Sequence, residues 1–194
     1  EVSGIVDQVG EGVTNVALGD HVSLESHIFC GTCRPCRLGN AHLCNNTTYP
    51  GIDIDGAFAD YITVPALIAW KNPKDLPHET GAMLEPFGIG VHACLEGSGV
   101  SGQTVLINGC GPIGLMAVAV ARALGASRVI AADLNPLRLK TAEIMGADRA
   151  IKADDENVAD VVRDMTGGEG ADVGIEFSGS EPGFRAVFDS LCKG

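Results

Sequence analysis

The chain has 194 residues, of which 45% are hydrophobic and 20% charged, and its formal net charge is −12. This composition can bury one good core or parts of two domains. The negative charge disfavours nucleic acid and anionic membranes as partners, and charged residues interrupt every apolar stretch well before the roughly 20 residues of a membrane span. The first residues lack the basic and apolar segments of a signal peptide. We therefore expect a cytoplasmic protein that binds neither nucleic acid nor membrane.

The first 75 residues predict a small, loop-rich β module. Residues 2–9, 21–25 and 59–64 are expected to be strands, because they are short apolar runs separated by glycine-containing turns. Residues 75–96 then predict a mostly helical segment, which Pro86 is expected to interrupt.

From residue 102 the pattern changes to alternating strands and helices. Strands are predicted at 104–108, 128–132, near 150–151 and at 173–177, and helices at 113–124, 136–145, around 158–165 and at 182–191. Four βα units in succession predict a parallel, doubly wound sheet. A complete dinucleotide domain has six strands, and the chain opens on Glu1 and closes straight after an apparent helix. We therefore expect the sequence to be truncated at both ends.

Four of the seven cysteines crowd into one short lobe, residues 26–45: Cys30, Cys33, Cys36 and Cys44. Four thiolates suit a closed tetrahedral zinc site, which is structural because no position is left for substrate. Buried or disulfide-bonded cysteines are one alternative. An iron–sulfur cluster is another, because the first three cysteines have the ferredoxin spacing; the fourth is too distant, however, and Asn45 replaces the usual proline. Clustered thiols favour a metal in a reducing compartment over a secreted disulfide scaffold.

A glycine pattern follows the predicted strand at 104–108. It consists of Gly109, Gly111 and Gly114, with Pro112 and Ile113 before the last glycine. Between a strand and a helix, such glycines allow a tight turn, close approach of the backbone to a pyrophosphate, and helix–strand contact. The helix N-terminus attracts the phosphates. The pattern therefore predicts a dinucleotide site; a glycine turn that packs a helix without a ligand is the alternative.

Asp133, at the end of the next predicted strand, is the expected acidic partner of this turn. Its carboxylate is placed to accept hydrogen bonds from the adenosine ribose hydroxyls. Because an acid there repels a 2′-phosphate, Asp133 favours NAD over NADP.

The cysteine lobe, the glycine turn and the segment from Glu85 to Gly88 occur in the order found in zinc-containing medium-chain alcohol dehydrogenases, which the chain resembles over essentially its whole length. Residues 26–31, 41–44, 51–56 and 70–73 look like the threonine dehydrogenases of this family rather than sorbitol or ordinary alcohol dehydrogenases. The resemblance implies an α/β chain: a partial GroES-like domain over residues 1–97, including the lobe, and a partial Rossmann domain over 98–194.

The resemblance also implies roles for residues whose spacing argues nothing. Glu1 matches the glutamate of the family's Gly-His-Glu segment, and Glu85 matches a carboxylate at the same catalytic zinc. The ligand cysteine and histidine would precede this chain. His27 matches a histidine that lies near the substrate and influences its choice. Arg138 matches a basic residue beside the adenosine.

The implied activity is oxidation of a secondary alcohol, with hydride passing to C4 of NAD and zinc lowering the pKa of the alcohol. The resemblance favours L-threonine, oxidised to 2-amino-3-oxobutanoate. Sorbitol or butanediol is the alternative substrate, and the chain alone is alternatively an inactive nucleotide-binding fragment. The family also suggests a homotetramer.

Overall fold

The computed structural model describes residues 1–193. They pack into two compact units, one formed by residues 1–85 and the other from Pro86 onward. Our sequence-based domain border, between residues 97 and 98, stays a prediction. Among the described residues, no helix combines the length and the apolar character that a membrane crossing requires.

The first unit is built on a three-stranded antiparallel sheet in the order β1-β2-β3. Its strands are β1 (Val2–Ile5), β2 (His21–Leu24) and β3 (Ala69–Lys71). Leu24, on the central strand, pairs with Val2 on one side and Ala69 on the other. The small core of this unit is formed by Val16, Val22 and Leu24.

Two strand predictions in this unit were wrong in part or whole. The strand predicted at 59–64 is absent: these residues form bends and irregular chain, and the third strand is β3 instead. Ile62 and Val64 pack against the small core, so their apolar alternation reflects burial without ladder hydrogen bonds. The first strand ends at Ile5 rather than residue 9.

The helices of this part of the chain are α1 (Arg34–Arg37), which was not predicted, α2 (His78–Ala82) and α3 (Leu84–Leu95). The segment predicted as helical therefore forms two helices, and the break falls at Met83 rather than at Pro86. Pro86 lies in the first turn of α3, where an N–H has no partner within the helix and proline is tolerated.

The second unit contains a four-stranded parallel sheet in the order β6-β5-β4-β7. Its strands are β4 (Thr104–Asn108), β5 (Arg128–Asp133), β6 (Arg149–Lys152) and β7 (Val173–Glu176), and its helices are α4 (Pro112–Ala123), α5 (Pro136–Ile144), α6 (Val158–Met165) and α7 (Glu181–Ser190). Every predicted strand and helix of this region is present, with ends that differ by at most one residue. The predicted α/β, doubly wound fold is confirmed.

Burial on both faces explains the continuous apolar run of β4. Val105, Leu106 and Ile107 are fully buried. Val105 and Ile107 pack in the cluster that contains α4, whereas Leu106 packs in the cluster that contains α6 and α7, because successive side chains of a strand point to opposite faces. The carboxyl ends of these parallel strands meet at one edge, where the chain turns from β4 into α4.

Candidate functional site

The four predicted structural-zinc ligands converge in the lobe of the first unit. All four Sγ atoms lie within 4.8 Å of one another. The Sγ atom of Cys33 lies 3.4 Å from that of Cys36 and 3.9 Å from that of Cys44. Four sulfurs bound to one zinc ion at about 2.3 Å would be about 3.8 Å apart. The sulfur positions therefore fit one tetrahedral ion after small movements.

Local backbone structure brings these thiols together. Ile28 and Thr48 exchange two backbone hydrogen bonds of 3.0 and 2.9 Å, which close the lobe at its base. Gly31, with a φ of 72°, turns the chain between the first two cysteines. Cys33 then caps α1 and Cys36 lies within it, so their side chains, three positions apart, lie on the same face of the helix.

Hydrogen bonds stabilise the ionised form of one of these thiols, Cys30. The backbone and hydroxyl of Thr32, the amide of Asn46 and the backbone N–H of Cys33 lower the pKa of the Cys30 thiol to about 5. Desolvation and the neighbouring thiols raise the pKa of Cys36 to about 12. Four thiolates at this separation therefore need a cation among them. All seven cysteines are free thiols, so the structure gives no support to the disulfide alternative.

The three glycines of the turn in the second unit have different surroundings. Gly109 has a φ of 93°, and a Cβ atom on it would lie 2.5 Å from the backbone N of Ser178. Gly114 lies against the carbonyl of Gly109. Gly111, in contrast, has an ordinary φ of −66°, and a Cβ atom on it would meet no heavy atom within 4 Å. The first and third glycines thus serve packing, whereas no contact among the described residues requires the second to lack a side chain.

Gly111 also caps α4 without a side-chain hydrogen bond, and Pro112 and Ile113 form the first positions of the helix. A twelve-residue helix that begins in this way presents backbone N–H groups and the positive end of its dipole to the space in front of Gly111. This geometry suits a pyrophosphate.

Asp133 ends β5 beside this turn. Its Oδ2 accepts a 2.6 Å hydrogen bond from the backbone N–H of Cys110, and its Oδ1 accepts one of 2.7 Å from Asn135. The Nη1 atom of Arg138 lies 3.9 Å from Oδ2. A carboxylate has about four acceptor positions, so capacity remains for hydroxyl groups of a ligand. Cys110 is fully buried, and desolvation, and then Asp133, raise the pKa of its thiol to about 12, which disfavours the reactive thiolate.

A third group lies in the first unit, where β2 ends and α3 begins. The Nδ1 atom of His27 lies 2.9 Å from Oε1 of Glu25 and 2.9 Å from Oγ of Ser26. Ser26 Oγ donates a 2.5 Å hydrogen bond to Oε1 of Glu85. The ligand atoms of Glu25, His27 and Glu85 all lie within 4.8 Å of one another. The structure therefore brings together His27 and Glu85, which are 58 positions apart in the sequence.

Glu1, predicted at the same catalytic zinc as Glu85, is exposed and belongs to neither group of three or more metal-ligating side chains found within residues 1–193. The zinc-ligand roles of Glu1 and Glu85 stay predictions, as do the roles of the glycine turn, Asp133, Arg138 and His27. Sequence reasoning missed Glu25 and Ser26. The available signal was the spacing of Glu25 and His27, since side chains two apart in an extended chain point to the same side.

Two domain models match the chain: residues 1–77 match the alcohol dehydrogenase GroES-like domain, and residues 112–194 match the zinc-binding dehydrogenase domain. An L-threonine 3-dehydrogenase from Bacillus velezensis is 50% identical over 179 residues, which cover 92% of this chain and 52% of that protein. The chain belongs to the zinc-containing medium-chain alcohol dehydrogenase family. Our family prediction is confirmed.

Solved structures of dehydrogenases share the fold of this family member. The alcohol dehydrogenase from Thermus sp. ATN1 superimposes with a TM-score of 0.91 at 33% identity, covering 98% of this chain and 58% of that one. A zinc-binding dehydrogenase from Sinorhizobium meliloti 1021, bound to NADP, gives a TM-score of 0.89 at 32% identity, covering 98% and 56%. The chain spans about half the length of the curated relatives it matches.

Proposed function

We propose that the whole protein oxidises the secondary alcohol of L-threonine to 2-amino-3-oxobutanoate and transfers the hydride to NAD. The observation that carries the proposal is the combination, in one member of this family, of a four-thiol lobe, an open glycine turn and the His27–Glu85 group. The resemblance to L-threonine 3-dehydrogenases supports the choice of substrate.

The second unit binds the nucleotide in this proposal. The pyrophosphate lies in the space before Gly111, at the N-terminus of α4, and the adenosine ribose hydrogen-bonds to Asp133 with Arg138 beside it. Because Asp133 carries a negative charge at this position, we propose NAD rather than NADP. The Sinorhizobium relative was solved with NADP, so this choice needs a direct test.

Titration of the chain with each nucleotide provides that test. The wild-type chain should bind NAD more tightly than NADP, and Asp133→Asn should narrow the difference because the substitution removes the charge that repels a 2′-phosphate. Equal or tighter NADP binding by the wild-type chain would contradict the role of Asp133.

Zinc is proposed at two places in the first unit. The lobe thiols bind a structural ion, which holds residues 26–45 in shape. Glu1 and Glu85 are proposed carboxylate ligands of a catalytic ion. When bound there, zinc supplies a Lewis acid that lowers the pKa of a substrate hydroxyl. Ser26 orients the Glu85 carboxylate through its 2.5 Å hydrogen bond.

The substrate is tested with the whole protein, by comparing NADH formation from L-threonine, sorbitol, 2,3-butanediol and ethanol. We expect a clear preference for L-threonine, and we expect His27→Asn to weaken that preference over diols. A preference for a diol that His27→Asn leaves unchanged would support the polyol alternative. For the chain alone we propose nucleotide binding without alcohol oxidation, and threonine-dependent NADH formation by the 194-residue chain would contradict this.

A further inference from the structure

Glu176, the last residue of β7, binds the backbone of the loop that follows it, which we call the β7 loop (residues 177–180). Its Oε1 atom accepts hydrogen bonds of 2.7 Å from the backbone N–H of Ser178 and 3.1 Å from the side-chain amide of Asn108. Its Oε2 atom accepts one of 3.1 Å from the N–H of Gly179. Among the described residues, no lysine or arginine contributes to the electrostatics of this carboxylate. Its partners are therefore N–H groups rather than a cation.

These contacts require an acid at position 176. Desolvation opposes ionisation of the carboxyl group, but the hydroxyl and N–H of Ser178, the N–H of Gly179 and the amide of Asn108 outweigh it and lower its pKa. Both oxygens of the resulting carboxylate accept hydrogen bonds. A glutamine of the same shape keeps one acceptor oxygen, and its second terminal atom is a nitrogen that donates. Glutamine would therefore leave at least one loop N–H without its acceptor.

The β7 loop packs directly against the glycine turn. A Cβ atom on Gly109 would lie 2.5 Å from the backbone N of Ser178 and 2.6 Å from the carbonyl carbon of Phe177. A Cβ atom on Gly114 would lie 3.7 Å from Cδ2 of Phe177. The N–H of Phe177 also donates a 2.7 Å hydrogen bond to the carbonyl of Asn108, the last residue of β4. The loop and the turn thus form one continuous surface at the carboxyl edge of the sheet.

The strand order relates this surface to one half of a dinucleotide. In the order β6-β5-β4-β7, the chain runs from β4 outward to β6 and then returns to the other side of β4. Such a reversal marks the crevice across which a dinucleotide lies. Asp133, at the end of β5, is the proposed partner of the adenosine ribose, so the other half of the ligand extends toward β7. The β7 loop is therefore expected on the nicotinamide side of the pyrophosphate.

We propose that Glu176 is a positioning residue of the nucleotide site: its carboxylate fixes the β7 loop against the glycine turn, and the loop lines the nicotinamide half of the site. This inference rests on the proposed function, because it concerns how NAD is held. It adds to the site an acid that acts through the loop backbone, in contrast to Asp133, whose proposed contact with the ligand is direct.

Positioning and charge predict opposite effects for Glu176→Gln. NAD and ADP both contain a pyrophosphate, so a residue that acted through its negative charge alone would, once neutralised, allow tighter binding of both. A positioning residue has a different effect, because loss of the acceptor for the Gly179 N–H loosens the β7 loop. NAD then binds more weakly. ADP lacks the nicotinamide half and does not depend on the loop.

The test is calorimetric titration of the whole protein with NAD and with ADP. Glu176→Gln should raise the Kd for NAD by about fivefold or more and change the Kd for ADP by less than about twofold. Glu181→Gln is the matched control, because it removes the same charge from an exposed side chain of α7 that pairs with Arg185; it should leave both constants unchanged. Equal weakening of NAD and ADP, or tighter binding of both, would overturn the positioning role.

Hydrogen–deuterium exchange of the wild-type whole protein gives a second measurement that needs no variant. The N–H groups of Ser178 and Gly179 should exchange slowly in the free protein, because Glu176 accepts a hydrogen bond from each. NAD should slow exchange in the β7 loop further, whereas ADP should not. Fast exchange of both N–H groups in the free protein, or equal protection by NAD and ADP, would overturn the inference.

Failure of the inference can be distinguished from failure of the proposed function. If neither NAD nor ADP binds, the proposed function is wrong and the inference falls with it. If both bind and Glu176→Gln affects them equally, nucleotide binding stands and the positioning role alone falls.

Discussion

Substitution of Gly111 by alanine tests nucleotide binding with little expected effect on the stability of the fold. Replacing it by alanine adds a Cβ atom that meets no protein atom within 4 Å, at a backbone φ of −66° that alanine adopts without strain. Alanine is a poorer helix cap than glycine by about 0.5–1 kcal/mol, but it also restricts the unfolded chain, which stabilises by about 0.4–1 kcal/mol. We expect the free energy of unfolding to change by less than about 0.5 kcal/mol.

The same methyl group occupies the space in which we propose the pyrophosphate. Hydrogen bonds to charged groups contribute about 1.5–3 kcal/mol each, so displacement of the phosphates from one N–H group should weaken NAD binding by about tenfold or more. The assay is calorimetric titration of the chain with NAD, beside urea unfolding of the same preparation. Gly10→Ala is the matched control, because its Cβ meets only Val13 at 4.0 Å and lies in the first unit; it should leave NAD affinity unchanged. Wild-type affinity in Gly111→Ala would refute the assignment of this turn.

Three further outcomes are expected. Gly109→Ala should destabilise the second unit by more than about 1 kcal/mol in urea unfolding, because its φ of 93° and the 2.5 Å approach to a backbone nitrogen leave no room for a side chain; a variant as stable as Gly111→Ala would contradict this. Arg122→Ala should cost about 1–2 kcal/mol, since Arg122 donates to the carbonyl of Gly146 and to Asp148. Desolvation opposes ionisation of Asp148, but the N–H of Val129 and Arg122 outweigh it and lower its pKa. The ionised Asp148 therefore stabilises the fold at neutral pH, and this stabilisation is lost as the pH falls through the lowered pKa. The loss of unfolding free energy caused by Arg122→Ala should consequently be smaller in acid, and a loss that does not depend on pH would contradict this. Cys33→Ser should weaken the thiolate-to-metal absorption of the cobalt-loaded chain, because it removes one of four thiolate ligands; unchanged absorption would contradict the four-thiol site.

The second unit was predictable because each signal there is local. The apolar run of β4, the glycines after it and the Asn135 that caps α5 each belong to one short stretch of sequence. Parallel strands separated by helices also permit few topologies. The predicted ends consequently agree with the structure to within one residue.

The first unit was less predictable because burial and strand pairing diverge in it. Ile62 and Val64 alternate as a strand does, yet they cover the small core without joining the sheet. Whether an apolar alternation finds a ladder partner depends on the rest of the chain, which local sequence does not encode.

Contacts distant in sequence explain what was missed at the site. The cysteine spacing identifies the lobe because all its ligands lie within fifteen residues. In the third group, the hydroxyl of Ser26 reaches Glu85 from another element, and no spacing rule predicts that contact. The positions of His27 and Glu85 were singled out by resemblance, whereas the hydrogen bonds that orient them became visible only in the fold.

Hydride transfer itself is the central claim, and isotope transfer tests it most directly. The whole protein is incubated with NAD and L-threonine that carries deuterium at C3, and the NADH formed is analysed by mass spectrometry. We expect one deuterium atom per NADH, located at C4 of the nicotinamide. NADH without deuterium, or threonine consumed without NADH, would contradict the proposed reaction.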